Sequence, residues 1–167
     1  MKSFSEYTDK QLRLVATSFL GLDYDLVSEK ESISSFSCDR TFSFNGIVNG
    51  FGKSIEFYKP FILKGDINIR EIGRENPFAV YKREIGFYTG IIELSKGNRV
   101  RIKLGFFYLN VTIENLNGKT LILLKRSNIF SRKINVVIKE KTPLLEENPW
   151  IIFLALYLSI KGMMRRL

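Results

Sequence analysis

The 167-residue chain contains no histidine and a single cysteine, which removes most of the ways side chains do chemistry near neutral pH. Without imidazole there is no Ser-His or Cys-His couple, no histidine-based zinc site and no general acid–base of unperturbed pKa near 7. Cys38 stands beside Asp39 and Arg40 with no base to activate it, and reads as a small buried side chain. The carboxylate pairs are Asp23/Asp25 and Glu146/Glu147. The first pair shares the polar face of an alternating segment. The second sits just before an apolar run, where negative charge complements a helix N-terminus. Gly46, Gly50 and Gly52 fall between strand-like segments with no helix start behind them, so they do not form a phosphate loop. These residues predict no catalytic set, no metal site and no cofactor, and so a non-enzymatic binding or scaffold module.

Cationic side chains are the other source of chemistry. The formal net charge is +9, and it is segregated: residues 1–75 carry ten Lys or Arg against eleven Asp or Glu, residues 76–167 sixteen against six. With Val100, Ile102 and Leu104 turned inward, Arg99, Arg101 and Lys103 form an outward row. With Ile134, Val136 and Ile138 inward, Lys133, Lys139 and Lys141 face out. Lys125, Arg126, Arg132 and Lys133 flank a loop, Ser127 to Ser131, whose Ile129 and Phe130 are candidates for exposure. Cations around an apolar loop tip suit an anionic phospholipid surface, where each basic residue is worth ~1 kcal/mol. Two alternatives stand beside that reading. Lys and Arg also keep outer strand faces soluble, and the same charge near Phe106, Tyr108 and Phe130 suits stacked nucleic-acid bases, although no RNA-binding or helix-turn-helix motif accompanies them.

What must position these side chains is a set of short strands. Two-residue alternation recurs at Leu20/Leu22/Tyr24/Leu26, Phe42/Phe44, Ile55/Phe57, Ile67/Ile69, Phe78/Val80, Tyr88 to Leu94, Val100/Ile102/Leu104, Phe107 to Ile113, Leu121 to Leu124 and Ile134/Val136/Ile138. That makes nine or ten strands across residues 20–141. The change of parity at Gly105 predicts a bulge within one continuous strand, and Asn117-Gly118 predicts a hairpin. Residues 8–18 fit either a short helix, capped by Thr8 or Asp9 with Leu12, Val15 and Phe19 at helical spacing, or an entering strand.

The chain ends differently. Asn148 and Pro149 start a helix predicted over 149–164, in which Trp150 to Ile160 are apolar on every face apart from Ser159. The eleven residues 150–160 span roughly 16 Å, well short of the ~30 Å of hydrocarbon a membrane crossing requires. A helix with no face for water has to be surrounded. A closed antiparallel β-barrel around a central hydrophobic C-terminal helix satisfies both halves of the sequence, as one domain over residues 1–167. A barrel carrying a small apolar ligand is the alternative if the helix packs outside.

This order of elements, alternating strands over roughly residues 20–139 and then the apolar segment Pro149-Trp150-Ile151-Ile152-Phe153-Leu154-Ala155-Leu156, resembles the tubby C-terminal-like superfamily. That superfamily includes tubby domains, phospholipid scramblases and plant LURP-one-related proteins. The resemblance is one of architecture. It implies a twelve-strand barrel filled by its C-terminal helix, and a module that associates with membranes or phosphorylated lipid headgroups. The first 21 residues lack the continuous apolar stretch of a secretory signal, and the lone cysteine fits a reducing compartment, so a cytoplasmic, membrane-peripheral location is expected.

Overall fold

The computed structural model describes residues 4–7, 10–19, 22–29, 31–39, 45–60, 65–84, 86 and 88–164. Twelve short strands follow one another: β1 (Leu12–Ala16), β2 (Tyr24–Ser28), β3 (Glu31–Cys38), β4 (Gly46–Gly50), β5 (Lys53–Tyr58), β6 (Ile67–Glu71), β7 (Ala79–Arg83), β8 (Thr89–Glu93), β9 (Arg99–Leu104), β10 (Asn110–Glu114), β11 (Thr120–Arg126) and β12 (Lys133–Ile138). Each pairs antiparallel with its neighbours in sequence. β12 then pairs with β1, through Leu12 opposite Val136 and Leu14 opposite Ile134, which closes the sheet into a barrel. Two α-helices follow among the described residues, α1 (Pro143–Glu147) and α2 (Ile151–Met164).

α2 lies inside the barrel. Its side chains from Ile151 to Tyr157 are fully buried around the whole helix. They meet opposite walls: Phe153 stacks on Phe36 of β3 and Tyr157 packs on Phe57 of β5, while α2 also contacts β9, β10 and β11. An eight-stranded barrel is just wide enough for its own side chains to fill, so twelve strands leave a lumen that something else must occupy. A cleft of about 10 Å³ beside Leu156 and Leu124 shows how closely α2 fills that side of it. Close approach is helped by Gly46, where a Cβ would fall 2.8 Å from the Phe36 ring and 3.1 Å from that of Tyr157.

Several sequence expectations need correction. Over the described residues 10–18 the strand alternative forms and not the helix: Leu12, Leu14 and Ala16 point inward from β1, because only a strand there can pair with both β2 and β12 and close the barrel. The parity change at Gly105 is a chain reversal instead of a bulge, since β9 and β10 pair with each other. Its turn is built by Phe107 and Tyr108, both in the left-handed region at φ 53° and 58°. Glu146 and Glu147 belong to α1, a short helix that the sequence reading lacked, capped by Thr142 Oγ1, which accepts from the Leu145 amide at 3.3 Å. Asn148 closes α1; its Oδ1 accepts from Trp150 Nε1 at 3.2 Å and does not cap α2 amides. The hairpin at Asn117-Gly118 is present, with Gly118 at φ 82° between β10 and β11. The proposed Phe42/Phe44 strand, Leu20, the Thr8/Asp9 cap and Arg40 lie outside the described residues.

Among the described residues no helix is long and apolar enough to cross a membrane. The barrel wall points its fully buried apolar side chains inward, and its outer face mixes Val15, Val80, Ile91 and Val137 with Arg13, Glu56, Arg70, Lys82 and Lys103. The strands described run five to eight residues, against the ~9–11 of a membrane-spanning barrel, and charged side chains interrupt the outer face.

Candidate functional site

The outward row on β9 is present, but it is neutralised where it stands. Arg99 lies 3.8 Å from Glu93, Arg101 3.5 Å from Glu84, and Lys103 2.7 Å from Glu114. Glu93 also takes Lys82 at 2.7 Å. That hydrogen bond is the main reason its carboxyl is held below the usual carboxylate range, with the charges of Lys82 and Arg99 adding and desolvation opposing. A row whose charges already have carboxylates beside them offers little field to a distant anion.

Arg126 departs from the expected basic face altogether. Ile122 and Leu124 of β11 face the interior, and Arg126 continues their parity inward. It is buried, with Nη2 donating to Tyr24 Oη at 3.3 Å and Nη1 lying 3.9 Å from Met163 Sδ. That places a guanidinium beside the last turn of α2, where positive charge complements the carbonyl end of the helix. Lys139 is exposed, but it follows β12 at the opposite end of the barrel from the 127–131 loop.

Lys125, Arg132 and Lys133 do gather with Ile129 and Phe130. Lys125 and Lys133 are exposed on the outer face of adjacent strands, with no ion pair among the described residues. Arg132 is structural as well as cationic. Its Nη2 donates to the carbonyls of Ala16 at 3.3 Å and Ser18 at 3.0 Å, stitching the β11–β12 loop to the β1–β2 turn. Local hydrogen bonds fix both tips. Ser18 Oγ accepts from the amides of Leu22 and Asp23, and Asn128 Oδ1 accepts from the Phe130 amide at 2.9 Å.

The tips themselves are apolar. Phe19 is 93% exposed, Phe130 85% and Phe106 76%, with Ile129, Phe107, Tyr88 and Met164 partly exposed beside them. All seven lie at the end of the barrel where α2 finishes. Only Ile72 and Leu116, among the large exposed apolar side chains described, lie at the other. The loops carrying Phe19, Ile129/Phe130, Phe106/Phe107 and Tyr88 are consecutive around the rim, because the strand order runs β2-β1-β12-β11-β10-β9-β8-β7. Sequence reading found Ile129 and Phe130 as a membrane contact and Phe106 as a stacking ring, and missed the other four, which come together only when the barrel closes. Tyr108, expected as a stacking aromatic, is instead buried. Gly162 of α2 leaves room for its ring, since a Cβ there would sit 2.2 Å from it.

Cys38 is buried at the same end. Burial pushes its thiol up to about 11, against the pull of Lys161 and with help from Asp23 and Asp39. The fold thus favours the neutral thiol. Its contribution to stability is complete below the ordinary value of 9.0 and is lost as pH rises towards about 11. A thiol-exchange reagent at pH 8 is expected to leave Cys38 largely unmodified in the native protein and to react fully once denaturant is added. Rapid modification of the native protein would show that the thiol is open to solvent.

Comparison of the chain with protein-family models, with curated proteins and with solved structures returned no match, so the tubby-like resemblance rests on the order and closure of the elements alone.

Proposed function

We propose that this protein is a non-enzymatic binding module of the tubby-like kind that docks end-on against anionic phospholipid surfaces. The observation that carries the reading is the arc of exposed aromatic side chains on four consecutive loops at one end of the barrel, with Lys125 and Lys133 on the wall behind it. Loop tips of this kind enter the headgroup boundary while the cations hold the anionic lipids around them. The filled barrel agrees with a docking role more than with carriage of an apolar ligand, because α2 occupies the space such a ligand would need.

Vesicle co-sedimentation tests the proposal. Replacing Phe19, Phe106 and Phe130 together by Ser is expected to weaken binding to phosphatidylserine-containing vesicles by at least about tenfold, since each ring loses apolar burial worth ~1.5–3 kcal/mol when complete. Lys125→Gln and Lys133→Gln are expected to cost about fivefold each, ~1 kcal/mol per charge. Replacing Arg99, Arg101 and Lys103 by Gln is the contrast, and should change affinity little because those groups are ion-paired on the wall. Unchanged binding in the triple Ser variant would overturn the docking surface. Tighter binding to single-stranded DNA than to vesicles would assign the rim to nucleic acid instead.

A further inference from the structure

The end of the barrel opposite the aromatic rim holds a cleft of about 920 Å³, and its chemistry is different. Two pairs of rings wall it. Phe4 meets Phe51 edge to face at 6.0 Å, and Phe78 meets Trp150 edge to face at 5.5 Å. Phe51 and Phe78 are only partly buried, so the cleft presents ring surface as well as ring edges. Its charged lining divides in two. Lys53 and Arg74 both bind Glu71, at 3.2 and 2.8 Å, and form a closed group. The other charged residues that line it are all carboxylates: Glu75 from the β6–β7 turn, and Glu146 and Glu147 from α1. In a chain of net charge +9 this is a local reversal of sign.

The start of α2 opens into the same cleft and its partial positive charge offsets only part of that negative charge. Pro149 has no amide hydrogen, and the amides of Ile151, Ile152, Phe153 and Leu154 are already bonded to the carbonyls of Asn148, Pro149 and Trp150. Of these first amides only that of Trp150 lacks a backbone acceptor, so the helix start makes a poor anion site. Aromatic walls under a carboxylate rim match a cation carried on an apolar body, whose hydrocarbon replaces water against the rings while its charge stays near the carboxylates. We propose that this cleft binds an amphiphilic organic ammonium, either a free amine or a lysine side chain next to an apolar residue in a polypeptide. The site is independent of lipid docking. The fourteen residues of α2 separate the two ends by roughly 21 Å.

Trp150 is the only tryptophan and lines the cleft, so its emission reports occupancy directly. The probes are phenethylammonium, the carboxylate hydrocinnamate and the neutral phenethyl alcohol, each titrated by fluorescence and in parallel by calorimetry in case the indole is insensitive. Saturable binding of phenethylammonium is expected, with hydrocinnamate weaker by about tenfold or more. Replacing Glu75 and Glu147 together by Gln should weaken the ammonium by about fivefold or more, leave the alcohol unchanged and leave the melting temperature unchanged. A doubly blocked Phe-Lys dipeptide that binds more tightly than phenethylammonium places the cation on a polypeptide, and weaker binding places it on a free amine. Hydrocinnamate binding as well as the ammonium, a carboxamide variant that binds like the parent, or no heat and no emission change at millimolar phenethylammonium would each overturn the proposal.

Discussion

A chain ending at Asn148 is expected not to fold. The twelve strands would remain, but Leu14, Leu26, Phe57, Ile69, Ile92, Ile102, Ile113 and Ile122 point into the space that α2 fills and would surround a hole instead of a core. A sheet of twelve strands cannot shrink to an eight-stranded circumference without breaking its register, so the lumen cannot collapse around the loss. The magnitudes agree. Each fully buried large apolar side chain contributes ~1.5–3 kcal/mol, and the helix carries a run of them from Trp150 to Ile160. That far exceeds the ~5–15 kcal/mol by which a whole domain is stable. Circular dichroism of the truncated chain should show no cooperative thermal transition, and adding a peptide of residues 149–164 should restore one if the barrel can still close around it. A truncated chain that melts cooperatively with native strand signal would mean that the sheet supports itself and that α2 is an accessory.

The helix was legible in the sequence because burial on all sides leaves a signature no other element shares, an apolar run without a polar face. The strands were legible where alternation ran through large side chains, as at Val100/Ile102/Leu104. They were undercounted where the pattern was interrupted by Ser or Gly, as at Ser32, Ser34 and Ser35 in β3 and Gly46 and Gly50 in β4. Residues 12–16 carried two periodicities at once. Leu12 and Val15 suit a helix face, Leu12 and Leu14 a strand face, and the need for a partner to both β2 and β12 decides between them. At Gly105 the turn residues are Phe107 and Tyr108, which bear none of the usual turn chemistry, so a hairpin there leaves only a shift of parity to be read.

The candidate site was half legible for similar reasons. Parity correctly put Arg99, Arg101 and Lys103 outside, but it is blind to what stands on the next strand. The cross-strand neighbours Glu93 and Glu114, and Glu84 at the end of β7, discharge the row. Arg126 is a different case. Its inward direction follows from Ile122 and Leu124 by the same two-residue rule, and the rule was outweighed by its place in a basic cluster. The aromatic rim is a property of closure: Phe19 and Phe130 are 111 positions apart in sequence, and Arg132 ties their loops together across the β1–β12 seam.

Trp150→Ala is expected to destabilise the protein by ~3–5 kcal/mol, the range for removing a large buried ring. The indole is 3% exposed and sits where α1, β5 and the residue before β7 converge, with Phe57 at 6.2 Å and Phe78 at 5.5 Å. Neither neighbour can collapse into the space. Phe57 is fully buried and held between Phe36 and Tyr157, and the backbone under Phe78 is pinned by its amide, which donates a hydrogen bond to the Ile69 carbonyl at 2.9 Å. The cavity therefore persists, which puts the cost at the upper part of the range and the fall in melting temperature at roughly 10 °C or more. Trp150→Phe separates packing from polarity. It keeps most of the ring and removes only the Nε1 bond to Asn148 Oδ1, so the expected cost beyond lost ring volume is about 1 kcal/mol. Denaturant unfolding of both variants, compared at equal m-value, measures the two contributions. If Trp150→Ala costs less than about 1 kcal/mol, the indole cannot be sealing the mouth of the barrel, and the start of α2 must then be a surface helix that the sheet does not enclose.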